Sequence, residues 1–141
     1  MTQDRPTRRD FPVLYDWPTR WRDNDAYGHM NNVVHYEYFD SAVNRWLIGT
    51  GAMPWPHGPV MGLVAETGCR YFAEVGYPDP VTIGLRAERI GASSVVYALA
   101  LFGPAPEAAA TCRYVHVYVD PETRRPTPIP DALRAALQAI A

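Results

Sequence analysis

Only one stretch of this chain carries a long helical repeat, and the residues after it carry the period of strands. From Asn32 to Ile48, the residues His35, Tyr36, Phe39, Ala42, Val43, Trp46 and Leu47 fall on one side of a 3.6-residue wheel. Glu37, Asp40, Ser41, Asn44 and Arg45 fall on the other. Asn31 or Asn32 can cap the start, and Gly49-Thr50-Gly51 ends it. At about 1.5 Å per residue such a helix is about 25 Å long, enough to cross a sheet. Four strand-like segments come next, 60–75, 81–90, 94–102 and 108–119. Short turns separate them, at Tyr77-Pro78-Asp79-Pro80, Gly91-Ala92 and Gly103-Pro104. A first strand is expected over 13–22, with Pro18 confining part of it to an edge or bulge. Residues 1–12 read as a flexible arm and 131–141 as a short C-terminal helix. The order predicts an α+β domain over 13–141, an antiparallel five-stranded sheet with one long helix on one face. The other face must be solvated or buried against something else.

Composition removes several chemistries. The 141 residues hold one core's worth of chain, and 48% apolar with 20% charged residues is ordinary globular composition. The net charge of −2 offers no basic field for nucleic acid. All 13 basic residues are Arg, which excludes a P-loop lysine, a Schiff-base lysine and a kinase lysine. Ser41, Ser93 and Ser94 are the only serines, and none sits in G-x-S-x-G. Cys69 and Cys112 form no C-x-x-C and fit a reducing compartment as small core residues. The polar N-terminus is no signal peptide, and the longest apolar run, 95–102, is far short of a membrane span. A cytoplasmic protein without membrane insertion or nucleic-acid partner is expected.

The chemistry sits in Arg20 to Trp46, RWRDNDAYGHMNNVVHYEYFDSAVNRW. Asp23 and Asp25 flank the end of the first strand, Gly28 permits a tight turn, and the helix starts a few residues later. Its unpaired N–H groups can polarise a carbonyl oxygen, while a carboxylate facing them attacks or deprotonates water. Asp25 reads either as an Asx-turn residue or as the catalytic group, the second being favoured; Asp23 reads as a turn or cap residue. The string fails as an EF-hand, because Tyr27 and Val34 occupy ligand positions. His29 is a loop histidine that either supports the turn or touches substrate or water. His35, on the apolar helix face, reads as a core histidine, and His116 as a partly exposed strand residue. The histidine spacing matches no zinc motif, so no metal or redox cofactor is expected. Glu66, in the apolar stretch L-V-A-E-T-G-C, reads either as a buried acid of raised pKa or as a residue of a dimer interface. The loop carrying Met53, Trp55 and His57 reads either as a lid or as a proline-stiffened connection.

D-N-D-A-Y-G-H-M-N-N and the aromatic-rich helix after it resemble the 4-hydroxybenzoyl-CoA thioesterase-like branch of the hotdog-fold acyl-CoA thioesterases. The likeness extends through Ala65 to Tyr71, Tyr77-Pro78-Asp79, 89–94, 117–120, Arg124-Arg125-Pro126 and Pro128-Ile129-Pro130. It implies a sheet wrapped around a central helix and protomers paired as homodimers, with homotetramers beyond. It implies acyl-CoA thioester hydrolysis, or the same reaction on a carrier-linked acyl group. Asp25 matches the catalytic carboxylate, as general base or as nucleophile through an anhydride. Asn32 matches the residue whose backbone N–H polarises the thioester carbonyl, with His29 beside it. Gly28 and Tyr36 are expected to line the substrate site, with Glu66, Thr67 and Gly68 meeting the acyl group from the partner subunit. The founding aromatic thioesterases carry basic residues where this chain has Gly91-Ala92-Ser93. Arg89 is therefore the first candidate for the nucleotide, with Arg86 and Arg113 next. A hotdog hydratase or dehydratase and a non-catalytic acyl-binding module are the rival readings.

Overall fold

The computed structural model describes residues 5–54 and 58–141. Its elements are β1 (Val13–Trp17), α1 (Asn32–Thr50), β2 (Met61–Tyr71), β3 (Val81–Ile90), β4 (Ser94–Phe102), β5 (Ala110–Val119) and α2 (Asp131–Gln138). The strands form one five-stranded antiparallel sheet in the order β1-β3-β4-β5-β2. β1 and β2 are thus the two edges, and α1 crosses between them. The expected α+β architecture, one long helix held against an antiparallel sheet and a short terminal helix, is what the chain adopts.

Hydrophobic burial places α1. Tyr38, Phe39, Ala42, Val43 and Trp46 meet the inward residues of the central strands, among them Ile83, Leu85, Tyr97, Leu99, Leu101 and Tyr114. Truncating a fully buried aromatic such as Phe39 to Ala would cost about 3–5 kcal/mol. α2 adds Leu133 and Leu137 to this core, and the Ala87 N–H donates to the Ile140 carbonyl at 2.8 Å.

Several boundaries differ from expectation for local reasons. β1 stops at Trp17, where Pro18 removes a ladder donor, and Trp21–Asp23 winds into a 3₁₀ turn. α1 runs on through Gly49 to Thr50 and is capped by Gly51 at φ 64°, the left-handed conformation that glycine accepts. β2 ends at Tyr71, because the Phe72 and Ala73 N–H groups both turn to the Ala109 carbonyl. Within α1, Tyr36, expected on the inward face, is exposed, and Tyr38, which the wheel assigned to neither face, is buried. Tyr38 turns inward because its hydroxyl bonds Asp23, which lies off the helix.

The flexible arm expected over 1–12 does not hold for residues 5–12. Arg5 bonds the Ala108 carbonyl through Nε (2.9 Å) and Nη2 (2.6 Å), and Thr7 bridges Glu107. Phe11 packs edge-on to Phe102. It occupies the space that a side chain at Gly84 would need, so this segment covers part of the sheet face away from α1.

Candidate active site

The loop between the 3₁₀ turn and α1 is fastened at its base by Asp23. Its carboxylate is fully buried, 2.8 Å from the Arg20 guanidinium, and accepts from the Arg20 N–H at 2.8 Å and from the Tyr38 hydroxyl. Burial alone would raise its pKa, but the Tyr38 and Arg20 donors outweigh that and hold it below the usual carboxylate range. Arg20 also reaches Glu37 on the helix, at 2.6 Å. Asp23 is therefore an anchor that holds the turn.

Above the anchor the chain turns tightly. The Asp25 N–H donates to the His29 carbonyl and the Gly28 N–H to the Asp25 carbonyl, both at 3.0 Å, with Gly28 at φ 86°. The turn is tied to the segment after β2 by Met30 N–H to the Val75 carbonyl (2.7 Å) and by the Asn24 side chain on the Tyr77 backbone. Gly76 makes this approach possible, since a Cβ there would lie 2.9 Å from Asn24 Oδ1. Asn31 caps α1 by accepting from the Val33 N–H at 3.0 Å. Asn32 is the first helical residue, so its N–H belongs to the unpaired donors of that end.

Asp25 serves both of its readings at once. Oδ1 closes an Asx turn by accepting from the Tyr27 N–H at 2.9 Å, and Oδ2 stands 3.4 Å from the Asn31 amide. The same side chain lines a cleft of about 360 Å³ together with His29, Asn32, His35, Tyr71 and Glu74. Tyr71 donates to the Asn32 carbonyl at 3.2 Å and packs edge-on to the His35 ring, whose Nδ1 is 3.3 Å from the Asn31 carbonyl oxygen. Burial holds the His35 pKa below its ordinary value, so this wall of the cleft is a neutral imidazole. His29 Nε2 is 3.3 Å from Glu74 Oε1. A carboxylate, a helix N-terminus and an imidazole–carboxylate pair thus converge on one opening. That set can polarise a carbonyl and deliver water or a carboxylate oxygen to it.

The remaining residues singled out in the sequence lie elsewhere in the protomer. Gly28 lines not the cleft but a neighbouring hollow of about 300 Å³, which shares His29 and Glu74 with it. Tyr36 lies one turn along α1, on its exposed side. Glu66, Thr67 and Gly68 lie on the exposed edge strand β2, and Glu66 is not buried: it is paired with Arg113 at 2.8 Å on the open surface. Arg89 is exposed near the far end of β3, about 26 Å along the strand direction from the end that the Asp25 loop adjoins. Arg86 and Arg113 line a larger hollow of about 660 Å³, which also includes Phe11. That hollow holds neither the helix start nor Asp25, so its size does not make it the candidate site. His116, expected as partly exposed, is buried, with its pKa lowered by burial to about 4. Trp55 and His57 lie outside the described residues.

Glu74 and Tyr71 were not assigned roles in the site from sequence. They lie some 40 residues beyond the motif, and only tertiary contacts, Tyr71 with the Asn32 carbonyl and Val75 with Met30, bring them to the helix start. Among the described residues no three His, Cys, Asp or Glu side chains form a metal cluster, and no helix is long and apolar enough to cross a membrane. Cys69 and Cys112 stand opposite each other on β2 and β5 as free thiols.

The model of the thioesterase-like superfamily matches residues 19–137. The chain belongs to that superfamily. This thioesterase-like chain is 47% identical to the PA5185 protein from Pseudomonas aeruginosa strain PAO1, over 97% of this chain and 96% of that one, with a TM-score of 0.92. A thioesterase from Thermus thermophilus, in a structure with coenzyme A and zinc, is 28% identical over 92% of this chain and 94% of that one, with a TM-score of 0.77. A 1,4-dihydroxy-2-naphthoyl-CoA thioesterase from Synechocystis shares the fold at 15% identity, over 89% of this chain and 94% of that one, with a TM-score of 0.80. Among curated proteins none matches. The hotdog thioesterase expected from the D-N-D-A-Y-G-H-M-N-N string is borne out at the level of family and fold.

Proposed function

We propose that this protein hydrolyses acyl-CoA thioesters, releasing a carboxylic acid and CoA. The observation that carries the reading is the Asp25 carboxylate at the mouth of a cleft that opens on the first N–H of α1. The thioester carbonyl oxygen accepts from the Asn32 N–H, aided by the positive end of the helix. Asp25 Oδ2 then acts on the carbonyl carbon, either by taking a proton from an attacking water or by attacking directly to give an anhydride that water opens. In both routes the thiolate of CoA leaves and is protonated. His29, held by Glu74, orders water at the rim.

The reading includes a homodimer. β2 is an edge strand with Leu63, Val64 and Tyr71 exposed, and such an edge invites pairing. Pairing β2 with its symmetry mate continues the sheet about a two-fold axis and buries those side chains. It also gives Glu66 to Gly68 and Arg89, distant from Asp25 in their own protomer, a way to serve a substrate held by the partner.

A panel of aromatic, short-chain and long-chain acyl-CoAs, assayed for free thiol, tests the function. At least one is expected to be turned over with kcat/KM of roughly 10⁴ M⁻¹s⁻¹ or more. Release of no thiol from any member, or hydration of an enoyl-CoA in its place, contradicts it. Light scattering is expected to show at least a dimer at micromolar concentration.

A further inference from the structure

Asn31 touches each working part of the loop. Its N–H donates to the Asp23 carbonyl at 2.9 Å, which ties it to the anchor. Its own carbonyl accepts from the Val34 N–H at 2.9 Å and faces His35 Nδ1 at 3.3 Å. In the side chain, Oδ1 accepts from the Val33 N–H at 3.0 Å, and Nδ2 reaches Asp25 Oδ2 at 3.4 Å. These neighbours fix which way the amide faces. Turned over, it would set Nδ2 against the Val33 N–H, donor to donor, and Oδ1 against the carboxylate, acceptor to acceptor.

Capping alone does not call for asparagine. Ser and Asp cap a helix about as well, and Asp adds a charge that a helix N-terminus favours. What the amide has and an aspartate lacks is a donor beside its capping oxygen. A carboxylate at position 31 would cap α1 equally well and set two negative groups against each other. With the amide there, Asp25 is gripped at both oxygens, Oδ1 by the Tyr27 N–H of the Asx turn and Oδ2 by Asn31. The other titratable groups facing the cleft are His29 in the loop, His35 on α1, Tyr71 on β2 and Glu74 after β2. Among the described residues none of these bonds Asp25.

We propose that Asn31 is a positioning residue that sets the Asp25 carboxylate and the first N–H groups of α1 in one fixed relative placement. One end of its amide holds the carboxylate and the other holds the helix start, so the two cannot drift apart independently. The inference rests on the thioesterase reading for the roles of Asp25 and the Asn32 N–H. Misplacing reacting groups by about 1 Å costs on the order of 10²-fold in rate, which is the scale of effect such a grip can have.

The test measures kcat, KM, the pH dependence of kcat/KM and thermal unfolding in Asn31→Asp and Asn31→Ser, and follows the Asp25 carboxylate by carbon-13 NMR. Both substitutions keep a capping oxygen, so both proteins are expected to melt close to the native one. Each is expected to lose kcat about tenfold or more with KM little changed. In Asn31→Asp the facing charge is expected to raise the acid limb of kcat/KM, and the Asp25 titration with it, by about one pH unit, and Asn31→Ser is expected to raise them less. Native kcat in both variants, or an Asp25 titration unmoved in Asn31→Asp, reduces residue 31 to a cap and overturns the proposal while hydrolysis by the native protein stands. Melting far below the native protein in both variants also overturns it, because residue 31 then acts through the fold alone. If the native protein hydrolyses no ester and the Asp25 titration still moves in Asn31→Asp, the thioesterase reading falls and the grip of Asn31 on Asp25 stands.

Discussion

The two ends of α1 present opposite solutions to placing polar groups near a helix. At the N-terminal end nearly every polar atom is accounted for within the loop: Asp23 by Arg20 and Tyr38, Asn24 by Tyr77, Asn31 by the Val33 N–H. What remains open there is the capacity of Asp25 and the unpaired donor of Asn32. Beneath the C-terminal half, by contrast, His116, Tyr97 and Tyr118 are buried among apolar side chains. The first arrangement, on the proposed reading, is a preorganised reaction site with one side open to solvent. The second is packed core, in which burial holds the His116 imidazole neutral. The contrast makes distinct demands on experiment, because changes at the first end should move chemistry or loop stability, and changes at the second should move core stability and acid tolerance.

The largest effect on stability is expected at the anchor. Asp23→Ala leaves Tyr38 without its acceptor and Arg20 without its buried partner, and should cost about 3–5 kcal/mol in denaturant unfolding. Because the folded pKa of Asp23 is depressed, its contribution is present above the ordinary carboxylate pKa and is lost as pH falls through the folded value. The milder Asp23→Asn should flatten that acid limb while lowering kcat far less than a change at Asp25. Equal catalytic loss would mean that the anchor is the reacting carboxylate.

At the other end the sign of the pH effect follows from His116. Its folded pKa of about 4 lies below the ordinary histidine value of 6.5, so the unfolded chain binds the proton between those values. Stability is whole above pH 6.5 and falls by about 3 kcal/mol as pH drops to 4. Urea midpoints measured across that range should show the slope in the native protein and lose it in His116→Phe. A slope that survives the substitution assigns the effect to His35 or to the acids instead.

Smaller again is the effect expected at the nucleotide. Arg89→Ala should raise KM for acyl-CoA several-fold, leave kcat nearly unchanged and weaken the salt dependence of binding, since an exposed phosphate contact is screened. An unchanged KM places the nucleotide on other arginines or the acyl group on another carrier.

The two ends of the helix also differed in how far sequence could reach them. The helix, β3 and β4 were legible because each carries its own period and its own turn residues, and the Asp25–Asn32 pair because one short loop holds both. The burial of Tyr38 in place of Tyr36 was not legible, since a wheel weighs only hydrophobicity and the inward turn of Tyr38 is set by Asp23. Glu74 joins His29 only through the contact between the loop and the segment after β2, where the Met30 N–H meets the Val75 carbonyl. Nor could Glu66 be placed, because its alternation in β2 gives a face but not whether that face is covered.

All of the proposed chemistry depends on Asp25 at the start of α1. The most direct measurement is kcat of Asp25→Asn on the best acyl-CoA, taken together with its thermal unfolding. The amide preserves the acceptor for the Tyr27 N–H, so the melting temperature should stay close to that of the native protein. Catalysis should fall by roughly 10²–10⁴-fold. A folded Asp25→Asn protein that keeps its native kcat would remove Asp25 from the reaction.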